Sequence, residues 1–174
     1  MRASPLTPIR KLLICPLAVL LGIFSGCAQP AEEDSLPFST WFPIRLGEET
    51  IEVQVAHLSR EISRGLMYRT NLGRDRGMLF YYDAPRKMSY WMRNTSIALD
   101  IGFFTADGIL REIYPMYPMD ERPVKSRRED LVMAVEMNQG WYANNGVGVG
   151  AGLDLATLRK CLLQRGVETS RIPF

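Results

Sequence analysis

The chain has 174 residues, 47% of them hydrophobic and 23% charged, with a formal net charge of +2 and three cysteines. That is enough chain for one domain with a substantial core. Two of the three cysteines, Cys15 and Cys27, fall in the first 27 residues, so the folded part is left without a disulfide framework or a multi-cysteine metal site, and a near-neutral balance argues against a nucleic-acid partner, which needs a basic face.

Arg2, Arg10 and Lys11 precede an apolar run from Leu12 to Phe24, too short for a comfortable bilayer span and built like the core of a secretory signal. Phe24-Ser25-Gly26-Cys27 then resembles a bacterial lipobox, with small residues before a cysteine that receives lipid. Residues 1–26 are expected to be a signal peptide and Cys27 the lipidation site. Ordinary secretion is the alternative. Ala28 and Gln29, with no aspartate after the cysteine, point to the outer membrane facing the periplasm. Loss of three cations with the signal takes the formal charge from +2 to about −1. Cys161 is then the one cysteine left in the folded part. Residues 27–40 mix Pro, Ser, Gln and acids without periodicity, as in a disordered tether.

The globular domain is expected over residues 41–153. Ile44 and Leu46, the turn Gly47-Glu48-Glu49, and Ile51, Val53 and Val55 alternating with Glu52 and Gln54 predict a hairpin. Ser59 is placed to cap a helix from Arg60 to about Met67. Gly77 opens an apolar strand through Tyr82, which Asp83-Ala84-Pro85-Arg86 is expected to break. Leu99, Ile101 and Phe103 share one strand face, and Asp100, Gly102 and Phe104 the other. Asp107-Gly108 suits a tight hairpin, or a three-residue loop with Gly108 in the left-handed region.

Pro115 and Pro118 are expected to end strand pairing, and Asp120 to Asp130 reads as a solvated charged loop. Leu131, Met133, Val135 and Met137 alternate with Val132, Ala134, Glu136 and Asn138 as another strand, aiming Glu136 away from the Leu131 face. Four alternating glycines from Gly146 to Gly152 predict a segment with one bare face, open to another backbone or a ligand. Their spacing is not a dinucleotide fingerprint. Asp154 can cap a helix bearing Leu155, Leu158 and Leu162, so residues 154–174 form a C-terminal helical extension. The sum is an α+β, β-dominated fold: a compact barrel-like or two-layer antiparallel or mixed sheet, with one or two short helices and the C-terminal helix.

The stretch from Tyr90-Trp91-Met92-Arg93-Asn94-Thr95-Ser96 to Asp100 is the most distinctive. Together with Gly65-Leu66-Met67-Tyr68-Arg69, Gly77-Met78-Leu79-Phe80, Glu136 and Gly140, it resembles the bacterial and archaeal family called domain of unknown function 192. Ala98 stands where that family usually has proline, and Ala151 where it usually has aspartate. The resemblance covers roughly Ile51 to Gly150 and implies no established activity.

Arg69, Arg93, Asp100 and Glu136 are charges set among apolar neighbours, where an unpaired ion is costly. One reading pairs them in a structural ion network. The other puts Arg93, Asn94 and Thr95 at the rim of a pocket floored by Trp91, suited to a sugar or other small polar ligand. A carboxylate-dependent hydrolase acting on envelope glycans or other saccharides would use Asp100 and Glu136 as acid and base. His57, the one histidine, follows a strand, and no serine sits in a nucleophile elbow. The methionines read as core filling, with Met116 and Met119 the one pair open to copper, and Trp141-Tyr142 is a further candidate lining for the Trp91 cavity. The expectation is a small binding or accessory module, anchored to the membrane through Cys27, with no cofactor, metal or nucleic acid.

Overall fold

A computed structural model describes residues 35–174; the expected signal peptide, Cys27 and most of the tether lie outside the described residues. In chain order come β1 (Phe42–Leu46), β2 (Glu49–Ala56), α1 (Ser59–Arg64), β3 (Arg76–Arg86), β4 (Ser89–Tyr90), β5 (Leu99–Thr105), β6 (Leu110–Met116), β7 (Val124–Lys125), β8 (Leu131–Asn138), α2 (Trp141–Asn144) and α3 (Leu155–Gln164). The fold is α+β and β-dominated. Six strands form one sheet in the order β1-β2-β3-β8-β5-β6, and β4 pairs with β7 in a second. Only β2 and β3 run parallel among the described pairs, because α1 carries the chain back across the sheet between them.

Strand β8 lies at the centre, between β3 and β5, and seven of its eight residues are buried. Both faces of the sheet are therefore covered. One core gathers Ile44, Val53, Leu79, Val135 and Met137 beneath Trp141 and Tyr142 of α2 and Leu158 and Leu162 of α3. The other gathers Met78, Phe80, Ile101, Phe103 and Ala134 beneath Leu66, Met88, Tyr90 and Met92. Gly102 keeps the first face open for α2, since a Cβ there would sit 2.5 Å from the Tyr142 hydroxyl.

The first hairpin turns at Gly47 and Glu48, with Leu46 facing Glu49. The β5–β6 loop takes the three-residue form: Gly108 has φ +77° and its amide donates to Thr105 O at 2.9 Å. Strand β3 runs through Pro85 to Arg86, past the expected break, because a register shift between Tyr81 and Arg86 absorbs the proline. Strand β6 likewise runs through Pro115, on a sheet edge where a missing N–H breaks no ladder.

Helix α1 ends at Arg64, short of Met67, as Gly65 turns away at φ +47°. Its N-terminus is closed by the Glu61 carboxylate, which accepts the His57 and Leu58 amides at 3.2 Å each; Ser59 does not serve as the cap. Helix α3 begins on Asp154, which accepts the Thr157 amide at 3.1 Å, as expected.

The glycine segment is a loop and not an alternating strand. A Cβ at Gly146, Gly148 or Gly150 would meet nothing within 4 Å. The loop bridges the two edges of the sheet at one end, through Leu46 with Leu153 and Ile109 with Gly152, without closing a barrel.

Expected as part of a free tether, Leu36 to Ser39 instead lies on the domain. The Leu36 amide donates to Gln164 O, Phe38 packs beside the second core under the Arg165 guanidinium, and Gln54 donates to Ser39 O.

Candidate binding site around Glu136

Alternation along β8 puts Glu136 on the face opposite Val135 and Met137, and strand pairing sets it between Met78 of β3 and Ile101 of β5. Neither neighbour has a polar atom that could reach its carboxyl as a partner. Glu136 is 5% exposed. Its carboxyl accepts no protein hydrogen bond among the described residues and is not sealed in: its oxygens reach a cavity of about 210 Å³. Burial alone pushes its pKa up to about 8, so the group holds its proton at neutral pH.

Helix α1, strands β3 and β4 and the loop before β5 wall this cavity. Ile62, Ser63 and Arg64 come from α1, followed by Leu66 and Met67. Tyr82 and Tyr90 come from β3 and β4, their hydroxyls 3.1 Å apart. Trp91, Met92 and Thr95 come from the loop before β5. Trp91 is 47% exposed and forms the mouth, whereas Thr95 is buried.

The Trp91 loop is clamped on both sides. Tyr68 donates its amide to Asn94 O at 2.8 Å, and Asn94 Nδ2 donates to the Tyr68 hydroxyl at 2.9 Å. On the other side Met92 donates to Asp120 O at 2.9 Å and Met119 to Thr95 O at 3.0 Å. Tyr68, Asn94 and Met119 all carry positive φ, at 64°, 54° and 58°. Non-glycine residues held in that region cluster where structure serves a site.

Of the seven residues singled out in the sequence, Trp91, Thr95 and Glu136 line the cavity. Arg93 and Asn94 lie on the outside of the same loop, Arg93 with its guanidinium 5.6 Å from the Trp91 ring centroid. Arg69 belongs to an adjoining cavity of about 560 Å³, where it donates to Gln54 Oε1 and lies 5.6 Å from the Trp41 ring. Burial, then the neighbouring Arg64, lowers its pKa.

Asp100 faces the other side of the sheet: it pairs with Met137 and accepts the Gly140 amide at 2.7 Å. Burial raises its pKa and that amide opposes the rise. Two expectations are thereby corrected. The four charges form no ion network, and Asp100 and Glu136, one register position apart, leave opposite faces and cannot act as an acid and base across one pocket. Trp141 and Tyr142 are also absent from the Trp91 cavity. They cover the Asp100 face, bonded to Asp75 Oδ1 at 3.0 Å and Val135 O at 2.9 Å. Met116 is fully buried while Met119 is 59% exposed, so that pair shares no site.

The sequence reading passed over Tyr82, Tyr90, Met67 and Met92 as wall residues. Their helical and strand neighbours marked them as packing, and only the crossover of α1 against β3 and β4 brings them together. It also passed over Arg165, which pairs with Glu61, both side chains under 10% exposed.

Residues 43–155 match the family described as Uncharacterized ACR, domain of unknown function 192, and the chain belongs to it. Helix α3 lies almost wholly beyond the matched region. No curated protein matches the chain. Among solved structures, one from Sinorhizobium meliloti 1021, described as a candidate transcription regulator, is 31% identical with a TM-score of 0.63, over 66% of this chain and 93% of that one. Another, a protein of unknown function from Novosphingobium aromaticivorans DSM 12444, is 31% identical with a TM-score of 0.64, over 74% of this chain and 94% of that one.

Proposed function

We propose that this family member is an exported envelope protein, lipid-anchored through Cys27 at the outer membrane and facing the periplasm, that serves as a small binding or accessory module. Its ligand site is the Glu136 cavity, and the ligand is small and polar, with saccharides the first class to test. The signal-like run, the lipobox-like Phe24-Ser25-Gly26-Cys27 and the polar segment after it support the anchor. A single observation carries the site: the carboxyl of a largely buried glutamate, unpartnered among the described residues, faces a cavity instead of a protein group. Buried polar groups in folded proteins are nearly always satisfied, and the exceptions gather at functional positions.

Two experiments test this reading. Metabolic labelling with a palmitate analogue is expected to mark the wild-type chain and not Cys27→Ser; equal labelling removes the anchor. A monosaccharide panel followed by tryptophan fluorescence is expected to give at least one saturable change that Trp91→Phe abolishes. Responses that survive Trp91→Phe would belong to Trp41 or Trp141 and would move the site elsewhere.

A further inference from the structure

The Glu136 cavity has the donor and acceptor balance of a site for a positively charged amino group. We infer that it takes the primary ammonium group of a ligand, which displaces the Glu136 proton and pairs with the carboxylate left behind; this rests on the cavity being the ligand site. Three features of the wall favour a cation over an anion.

First, the donors that the Trp91 loop brings to the wall are already bonded: Thr95 N to Met92 O, Met92 N to Asp120 O, and the Thr95 hydroxyl to Arg93 O at 3.2 Å. Lone pairs remain free to accept. Second, Tyr82, Tyr90 and Trp91 supply aromatic surface, which attracts an ammonium most when water is excluded. Third, Glu136 makes no ion pair among the described residues, although Arg64 is a cation in the same lining. Arg64, exposed on the wall shared with the adjoining cavity, makes no ion pair among the described residues.

The titratable groups around Glu136 are Tyr82, Tyr90 and, through the sheet, Tyr142, all with pKa values raised by burial first, while Arg86 acts on the two wall tyrosines. None supplies a positive charge to the carboxyl itself. Ligand pockets for whole small molecules hold roughly 300–1,000 Å³. A cavity of about 210 Å³ fits one group of a ligand, and the half-open mouth at Trp91 leaves the remainder outside it.

The test uses three small three-carbon probes, propylammonium, propanol and propanoate, titrated into the wild-type protein with Trp91 fluorescence and calorimetry. Propylammonium is expected to bind at least about tenfold more tightly than propanol at pH 8 and to release close to one proton at pH 6.5, measured in buffers of different ionisation heat. Its affinity should climb about tenfold per pH unit from 6 to 7.5, since each binding event must expel a proton there and the amine stays charged throughout. Glu136→Gln should erase the preference for the ammonium.

The pH slope and proton release are read on the wild-type protein, so they stand even if that variant folds poorly. Equal binding of propanol, preference for propanoate, or a flat pH profile would overturn the ammonium inference while leaving a ligand site in place. No response to any of the three would also overturn it, and the saccharide panel would then decide the site by itself.

Discussion

Glu61 and Glu136 are two glutamates of nearly equal burial, 6% and 5% exposed, treated in opposite ways by the fold. Glu61 is enclosed by partners: the Arg165 guanidinium and the amides of His57 and Leu58. Burial alone would raise its pKa, but those partners, Arg165 foremost, bring it below the usual glutamate value. Glu136 has only burial acting on it, and its pKa goes up. The same side chain therefore serves as a fixed structural anion at one place and as a proton-holding group facing a cavity at the other. Where a fold could have supplied a partner and did not, the open valence points outward to a ligand.

The largest effect expected from this contrast lies in stability against pH. Glu136 is ionised above about 4.5 in the unfolded chain but stays protonated to about 8 in the fold, so between those values the native state holds the extra proton and stability falls as pH rises. The accumulated penalty is on the order of 5 kcal/mol at pH 8. Denaturant unfolding of Glu136→Gln should thus be similar to wild type near pH 4.5 and progressively more stable towards pH 8. A constant difference across the range would break the contrast.

Removing the partner at the other site comes next. Arg165→Met leaves the Glu61 carboxylate buried and unpaired, with an expected loss of about 3–5 kcal/mol at pH 7. Because the Glu61 pKa is lowered in the fold, its stabilising contribution is present above about 4.5 and is lost as pH falls through the folded value. The cost of Arg165→Met should therefore shrink on acidification, opposite in sense to Glu136→Gln, and calorimetric melts at pH 4 and pH 7 would check it.

Smaller effects sharpen the boundary of the site. Tyr82→Phe strips the buried Tyr90 hydroxyl of its partner and is expected to cost about 1–2 kcal/mol in chemical denaturation. Arg93→Ala, outside the cavity, should change stability by no more than about 1 kcal/mol and leave the Glu136 titration where it was. A moved titration would place Arg93 inside the site after all.

Much of this arrangement could be read along the chain, because β5 and β8 alternate cleanly enough to fix which residues share a face. Alternation assigned Glu136 to the side opposite Val135 and Met137, and the pairings agree; Leu131, expected with them, packs on the Glu136 side instead, beyond register shifts against both neighbouring strands. What a single strand cannot reveal is its lateral neighbour. That Ile101, and not Asp100, lies beside Glu136 depends on a register between segments more than thirty residues apart, and one step of register reverses the face. The Glu61–Arg165 pair is more distant still, 104 residues apart, and joins α1 to the end of α3. Pro115 misled because proline in a strand depends on edge or centre, a property of the assembled sheet. Four-residue α2 left no periodicity to detect, although its Trp141 and Tyr142 close the Asp100 face.

Carbon-13 detection of the Glu136 side-chain carboxyl across pH 3 to 10 tests the central point most directly. A midpoint near 8, moving downward when propylammonium is present, is the predicted result. A midpoint near the ordinary glutamate value of about 4.5 would mean that the carboxyl is already solvated or paired, and the cavity would lose its claim to be a binding site.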